Sequence, residues 1–238
     1  PEYRKRFGDV LVFSKSEIAK TFDEGDNFGD RRAIIYARNA CFELAQQIGA
    51  THFIELDDDY TYFKFRFDDQ LRWHGADVQD LDAVFDMLLD YFNSAPMLTL
   101  AIGQGGDYIG GEKATRFNDG IQPMRKAMNS FICSVDRPFQ FVGRINEDVN
   151  TYVLLGSRGG VFLSILQIGL DQLETQSNSG GMTELYLDAG TYVKSFYTVM
   201  YCPSCVVVSA MGTAHRRLHH HIKWRYAVPK ILRESVKK

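Results

Sequence analysis

An apolar segment that runs directly into three acidic residues constrains this chain more than any other feature. Residues 51–56 have the composition of a buried strand, and residues 57–59 are all aspartate. In residues 34–48 apolar side chains recur every three or four positions, and Gly49 ends that pattern, which predicts a helix before the strand. A helix followed by a strand that ends in polar residues favours an α/β sheet with a ligand at the carboxyl end of the strand.

The alternation of helices and strands continues along the chain. We expect Asp77 to cap a second helix, whose apolar face ends at Phe92, and a strand at residues 97–102 to follow. The further predicted strands are residues 10–13, 131–135, 140–142, 151–155, 161–168 and 205–209, and residues 185–200 carry another helical face. With 238 residues and no obvious linker, the pattern predicts a single α/β domain with helices on the faces of its sheet.

Composition excludes several classes of protein. No apolar stretch reaches the roughly 20 residues that a transmembrane helix needs, and the charged N-terminal segment does not have the pattern of a signal peptide. We therefore expect a cytoplasmic protein without membrane contact. Four cysteines do not suggest a disulfide framework, and the single motif formed by Cys202 and Cys205 lacks the second pair that is typical of a zinc site.

Charge is distributed unevenly between the body and the C-terminal segment. Residues 216–238 contain eight Lys or Arg and one Glu, which gives a net charge of +7. Because the whole chain has a formal net charge of −3, residues 1–215 carry a net charge of −10. A basic segment after an acidic body suits a phosphate-bearing ligand or a polyanion. A solvated tail is the alternative, and the sequence leaves both open.

The three aspartates predict a divalent cation site. Adjacent carboxylates repel one another unless a cation or hydrogen-bond donors compensate them. Mg²⁺ and Mn²⁺ prefer oxygen ligands and leave coordination positions for substrate phosphates. A solvated acidic turn is the alternative to a metal site.

Basic and amide side chains lie just upstream of the acidic strand. Arg38 follows Arg31 by two helical turns, so we expect both on one helix face, next to Asn39. Guanidinium groups suit bidentate recognition of phosphate or base edges. A solvated basic face is the alternative here.

Three further motifs carry chemistry. Glu147 and Asp148 stand in an otherwise apolar stretch, where a carboxylate can act as a general base, although a capping role is the alternative. The glycines of residues 103–111 match neither a P-loop nor a dinucleotide-binding fingerprint, and predict a tight turn or close backbone approach. Four histidines in residues 215–221 are suited to bind a metal or a phosphate.

Taken in order, these motifs resemble a known enzyme class. The segments are RNACFELAQQIGATHFIELDDDY, IGQGGDYIGG, GRINEDVNTYVLLGSRGGVFLS and HRRLHHHIKWRYAVPKI. An Arg-Asn helix, a strand that ends in Asp-x-Asp, a later Glu-Asp pair and a C-terminal His resemble the GT-A nucleotide-sugar glycosyltransferases. The amino-acid sequences of these segments are more similar still to the TET/JBP-associated glycosyltransferases. These are phage and related enzymes that are thought to modify hydroxymethylated pyrimidines in DNA.

The resemblance implies a Rossmann-like, GT-A-like mixed sheet, with a nucleotide and metal half in residues 31–110 and an acceptor half in residues 111–238. It implies a metal-dependent transfer of sugar from a nucleotide sugar, a UDP-sugar in our interpretation, to a 5-hydroxymethylpyrimidine in DNA, in a bacterial or phage-infected cell. A nucleotidyltransferase and a catalytically decayed sugar-nucleotide-binding domain are the alternatives.

The resemblance also implies residue roles. Asp148 and Glu147 are the expected catalytic acids, and Asp57, Asp59 and His215 are the expected ligands of Mn²⁺ or Mg²⁺. The residues expected to bind the nucleotide sugar are Arg31, Arg38, Asn39, Asp57, Asp58, Gly105, Gly106, Asp107 and Arg216.

Overall fold

A six-stranded mixed sheet forms the centre of the fold. The structure is a computed structural model that describes residues 2–26, 28–70, 72–108, 121–128, 130–173, 184, 192–212 and 217–230. The strands in spatial order are β1 (His52–Glu55), β5 (Phe131–Ser134), β4 (Thr99–Gln104), β6 (Phe162–Gln172), β2 (Tyr60–Phe67) and β3 (Trp73–Asp77). β4 and β6 run parallel, whereas the other neighbouring pairs are antiparallel.

One face of the sheet is covered by helix α4 (Leu81–Ser94). Leu88 and Phe92 on this helix are fully buried and pack in one apolar cluster with Leu100 and Ile102 of β4. Alternate residues of a strand point to the same face, so Leu100 and Ile102 define the side that α4 covers.

The opposite face is covered by helices α3 (Ile35–Gln47) and α5 (Glu147–Ser157). Ala101 lies between Leu100 and Ile102 in the sequence, and it joins a second cluster that contains Tyr36 of α3 and Val153 of α5. Helices therefore pack on both faces of one mixed sheet, which confirms the predicted α/β, GT-A-like fold.

The remaining described elements surround this core. They are α1 (Glu2–Phe7), α2 (Lys15–Ile18), a 3₁₀ turn (Gly105–Tyr108), α6 (Val193–Tyr201), β7 (Val206–Met211), β8 (Arg217–Ile222) and α7 (Trp224–Ala227). β7 and β8 form an antiparallel pair that packs against α6. No helix in these described elements is long and apolar enough to cross a membrane.

Three predicted strands are wrong. Residues 151–155 lie within α5, and most of this helix is buried on all sides, which removes the polar-apolar periodicity that marks a helix in the sequence. Residues 10–13 form no strand, since Val12 is 70% exposed and has no ladder partner. Residues 140–142 form none either, because the Phe141 amide donates to the side chain of Asn39 at 2.8 Å.

The predicted cap of the second helix is also displaced. Asp77 is the last residue of β3, and the cap of α4 is Asp80, whose carboxylate accepts from the backbone N–H of Ala83 at 2.9 Å. The predicted helix in residues 185–200 appears as α6 from Val193, and its earlier part lies outside the described residues.

This capping arrangement predicts that replacing Asp80 and replacing Asp77 lower the free energy of unfolding by different amounts. Replacing Asp80 by Ala leaves an N–H of the first turn unpaired, so Asp80→Ala is expected to lower the free energy of unfolding by about 1 kcal/mol. Asp77→Ala is the matched control and is expected to lower it much less. Urea unfolding followed by circular dichroism measures both values. Equal losses in the two variants would contradict the assignment of the cap.

Candidate active site

A single buried arginine connects the elements that carry the predicted site. Arg38 lies on α3, and its side chain is 4% exposed. Its Nε donates to Oε1 of Glu147 at 3.1 Å, its Nη1 to Oε2 of Glu55 at 3.4 Å and its Nη2 to Oδ1 of Asp57 at 3.1 Å. We refer to these four residues as the Arg38 cluster. The cluster fixes the end of β1 and the start of α5 against α3.

Two aromatic rings pack near the guanidinium of Arg38, in addition to its carboxylate partners. The guanidinium carbon lies 4.8 Å from the ring centre of Phe131 and 5.6 Å from that of Phe141, so the aromatic faces contribute cation–π attraction. A planar guanidinium with five N–H donors can serve three carboxylates at once, which an ammonium group cannot do in a fixed geometry.

One cation faces three carboxylates in this cluster. Burial is the largest cause of the pKa shift of each acid. Burial raises the pKa of Glu55 to about 8, that of Glu147 to about 7 and that of Asp57 to about 6, while Arg38 acts in the opposite direction on each pKa. Burial also raises the pKa of Asp148, which Arg38 and Lys126 lower. When all of these acids are ionised, the site carries more negative charge than Arg38 neutralises.

A strained turn sets the position of the two acids on α5. Asn146 precedes the helix with φ 64°, a left-handed conformation that is uncommon outside glycine, and its side chain donates to Oγ1 of Thr198 at 2.6 Å. Arg144, two residues earlier, is buried and donates to Asp26 at 2.7 Å. Glu147 and Asp148 then occupy the first turn of α5, where the helix dipole favours carboxylates.

The acidic turn, residues 57–59, follows β1 as predicted. Asp58 is exposed, whereas Asp57 and Asp59 are half-buried. One carboxylate oxygen of Asp59, Oδ1, is buried and has no hydrogen-bond partner. A buried carboxylate oxygen without a donor is costly, and a hard cation is one ligand that satisfies it.

The carboxylates of the acidic turn fit a divalent cation only in part. Within the described residues, no three His, Cys, Asp or Glu side chains form a group that could hold a metal ion. His215 and Arg216 lie outside the described residues. The metal assignment of Asp57, Asp59 and His215 therefore stays a prediction.

The glycine-rich turn lies at the same edge of the sheet as the acidic turn. β1 and β4 are both antiparallel to β5, so they run in the same direction and end at one edge. Gly105 and Gly106 follow β4, are exposed and face open space. Asp107 instead forms an ion pair with Arg125 at 2.7 Å, and its carboxylate accepts from the backbone N–H of Gln104 at 2.9 Å.

Comparison with protein families identifies the chain at this point. The family model described as TET-Associated Glycosyltransferase matches residues 1–181. This chain belongs to the TET-associated glycosyltransferase family. The matched range includes the acidic turn and both acids of α5, and it confirms the family that the motifs resemble. Family membership indicates a glycosyltransferase, which acts on a sugar donor and an acceptor. No curated protein and no solved structure shows a significant match to the chain.

In this glycosyltransferase the predicted helix face that carries both Arg31 and Arg38 does not form. Arg31 is exposed and precedes α3, which begins at Ile35, so Arg31 and Arg38 do not share a helix face. Asn39 uses its amide on the backbone of Phe141, donating to its carbonyl at 3.0 Å and accepting from its N–H. Arg38 and Asn39 thus position other residues, and their roles in nucleotide binding stay predictions.

Sequence reasoning missed Glu55, a member of the Arg38 cluster, and Lys126, whose charge lowers the pKa of Asp148. Glu55 is a charged residue at the buried end of an apolar strand, and that placement is a signal the sequence does contain. Lys126 lies in an irregular segment, and its charge acts on Asp148 across a long sequence separation, which no local pattern reveals.

The Arg38 cluster predicts a pH-dependent loss of stability in Arg38→Met. Glu55 and Glu147 have folded-state pKa values of about 8 and about 7, above the ordinary 4.5, so the folded state binds these protons more tightly and stability falls as pH rises through this window. Without the guanidinium both pKa values rise further. We expect a loss of about 3–5 kcal/mol at high pH, where the acids are ionised, and a smaller loss near pH 5.

Urea unfolding of both proteins at the two pH values tests this expectation. Arg72→Met is the matched control, because Arg72 pairs with Asp68 on the surface and its side chain is exposed. The control is expected to show little change at either pH. Equal losses for Arg38→Met at low and high pH would show that packing, and not charge, accounts for the effect.

Proposed function

We propose that this glycosyltransferase moves a sugar from a nucleotide-sugar donor to a hydroxyl group, with a divalent cation at the acidic turn and Asp148 as the general base. The observation that carries the proposal is the Arg38 cluster. It links the acidic turn after β1 to the acids that begin α5, so the donor-side and acceptor-side carboxylates of the resemblance belong to one connected site.

Asp57, Asp59 and His215 are the residues that would hold Mn²⁺ or Mg²⁺. The unpartnered Oδ1 of Asp59 and the excess negative charge of the site support this choice. A bound cation supplies charge neutralisation to the departing nucleoside diphosphate. Asp58, Arg31, Gly105 and Gly106 are exposed and are the proposed contacts for a UDP-sugar.

Asp148 suits the role of base better than Glu147. Glu147 accepts from Arg38, which holds its charge in place, whereas the Oδ1 contact of Asp148 is with the backbone N–H of Val149 at 2.7 Å. Burial raises the pKa of Asp148, which increases its basicity relative to a solvated aspartate. The acceptor hydroxyl gives its proton to Asp148, its oxygen bonds to the anomeric carbon, and the bond from that carbon to the diphosphate breaks with the electron pair leaving on the diphosphate.

The acceptor we propose is a 5-hydroxymethylpyrimidine in DNA. Tyr226 in the basic C-terminal segment is 44% exposed, with the guanidinium of Arg225 at 4.9 Å and the ammonium of Lys230 at 5.0 Å from its ring centre. Cations next to an exposed aromatic ring suit a nucleic acid, since the cations attract phosphates and the ring stacks on a base. Trp224 is less available, because its ring stacks on Tyr152 at 5.7 Å.

Asp148→Asn is expected to reduce sugar transfer at least about 100-fold without loss of folding, since the amide cannot accept the proton. Asp82→Asn, at an exposed position in the first turn of α4, is the matched control and is expected to keep full activity. Mass spectrometry of hydroxymethylated and plain DNA, after incubation with UDP-sugars and Mn²⁺, measures transfer. Full activity in Asp148→Asn excludes it as the base, and pyrophosphate release from nucleoside triphosphates would indicate a nucleotidyltransferase.

Asp59→Asn is expected to remove the thermal stabilisation that Mn²⁺ gives to the wild-type protein in the presence of UDP. An amide is a poorer ligand for a hard cation than a carboxylate, so coordination weakens while the size of the side chain is kept. Asp69→Asn, at an exposed aspartate after β2, controls for the loss of one negative charge. Differential scanning fluorimetry with and without Mn²⁺ distinguishes the two. Equal Mn²⁺ stabilisation in wild type and Asp59→Asn would exclude Asp59 as a metal ligand.

A further inference from the structure

The strand that follows the acidic turn carries an exposed aromatic ring near its start. Tyr60 and Phe63 of β2 pack against the apolar cluster that α4 covers, whereas Tyr62 is 56% exposed. The ammonium nitrogen of Lys64 lies 5.3 Å from the centre of the Tyr62 ring, so these two side chains share one face of β2. β2 therefore presents an aromatic ring and a cation side by side.

The directions of the strands place Tyr62 near the edge of the sheet that carries the acidic turn. β6 runs parallel to β4 and antiparallel to β2, so β2 begins at the edge where β1, β4 and β6 end. The backbone N–H of Leu173, which directly follows β6, donates to the carbonyl of Asp59 at 3.0 Å and fixes the acidic turn there. Tyr62 comes three residues after Asp59, and three residues of extended chain span about 10 Å. A nucleotide bound at the acidic turn is therefore within reach of the Tyr62 ring.

Contacts on the same face of the sheet hold Lys64 in place. The ammonium of Lys64 and the guanidinium of Arg66 both pair with the carboxylate of Asp171 on β6, the ammonium at 2.8 Å. The guanidinium carbon of Arg66 lies 4.8 Å from the ring centre of Tyr108, and a Cβ at Gly169 would lie 2.6 Å from Nε of Arg66. The missing side chain of Gly169 therefore makes room for Arg66. Because these contacts exist without a ligand, little side-chain freedom is lost when one binds.

The charges around Tyr62 favour a neutral ring over a phosphate group. The positive charges of Lys64 and Arg66 are balanced by Asp171 and by Asp77, which lies opposite Lys64 on β3. Without an excess of positive charge, this surface has little attraction for a polyanion. An exposed aromatic face instead stacks on a planar nucleobase, and an adjoining ammonium donates to the acceptor atoms of that base.

We propose that Tyr62, with Lys64 at its side, forms a nucleobase-stacking subsite next to the acidic turn. The ring of Tyr62 stacks on the base, and the ammonium of Lys64 donates to one of its acceptor atoms. The subsite rests on the proposed function for its role in sugar transfer, but the stacking itself requires no turnover. The base belongs either to the nucleotide of the donor or to a DNA acceptor.

Calorimetric titration with UDP in the presence of Mn²⁺, and with a short single-stranded oligodeoxythymidylate at low salt, tests the subsite. Tyr62→Ala is expected to weaken the binding of at least one probe about fivefold or more, because the stacked ring is lost. Tyr62→Phe keeps the ring and is expected to bind as wild type. Tyr192→Ala is the matched control and is expected to bind as wild type, since Tyr192 is also 56% exposed and precedes α6. Circular dichroism checks that each variant is folded.

The two probes identify the source of the base. Weakening of UDP binding alone assigns the subsite to the donor, weakening of oligonucleotide binding alone assigns it to the acceptor, and weakening of both shows that either base occupies it. The proposal is overturned if Tyr62→Ala binds both probes as wild type, if Tyr62→Phe loses as much as Tyr62→Ala, or if the wild type binds neither probe. A loss in Lys64→Gln that exceeds the loss in Tyr62→Ala would indicate a phosphate contact and would also overturn it. Sugar transfer by the wild type is measured separately, so failure of the proposed function and failure of the subsite give different results.

Discussion

The ion pairs of Arg38 are the interaction on which the rest of the site depends. They connect α3 and the end of β1, which are consecutive in the chain, to the start of α5, where Glu147 lies 109 residues after Arg38. Buried ion pairs contribute little net stability when they are complete, since desolvation offsets the attraction, but removal of one partner leaves an uncompensated buried charge. Arg38 therefore acts mainly by specifying how these elements meet.

Arg38 has three carboxylate partners and only one positive charge, and this imbalance bears on what the site can bind. One guanidinium faces Glu55, Asp57 and Glu147, and the low polarity of the surroundings raises the pKa of each acid. Such a site has a lower energy when further positive charge arrives, as a metal ion or as protons. The same imbalance that limits stability at high pH is thus a property suited to binding a cation together with a diphosphate.

The sequence predicts the parts of this protein whose signals are local. α3, β1 and the acidic turn follow from apolar periodicity and from the abrupt change to aspartate, and β4 to β6 follow from short apolar runs. α5 does not, because its burial on nearly all sides leaves no periodicity. The pairing of Arg38 with Glu147, and the burial of His220 in a basic segment, depend on contacts between distant residues that a single sequence does not encode in any local pattern.

The link between Arg144 and Asp26 bears on where a working fragment of this enzyme can begin. A fragment that starts at Arg31 would keep the candidate donor-side and acceptor-side residues, and it would look complete by motif. It would nevertheless lack Asp26 and Asp30, the carboxylates that face the buried guanidinium of Arg144, and that arginine lies just before the turn that leads into α5. The first thirty residues are thus part of the scaffold of the active site, and domain boundaries drawn from motifs alone would cut through it.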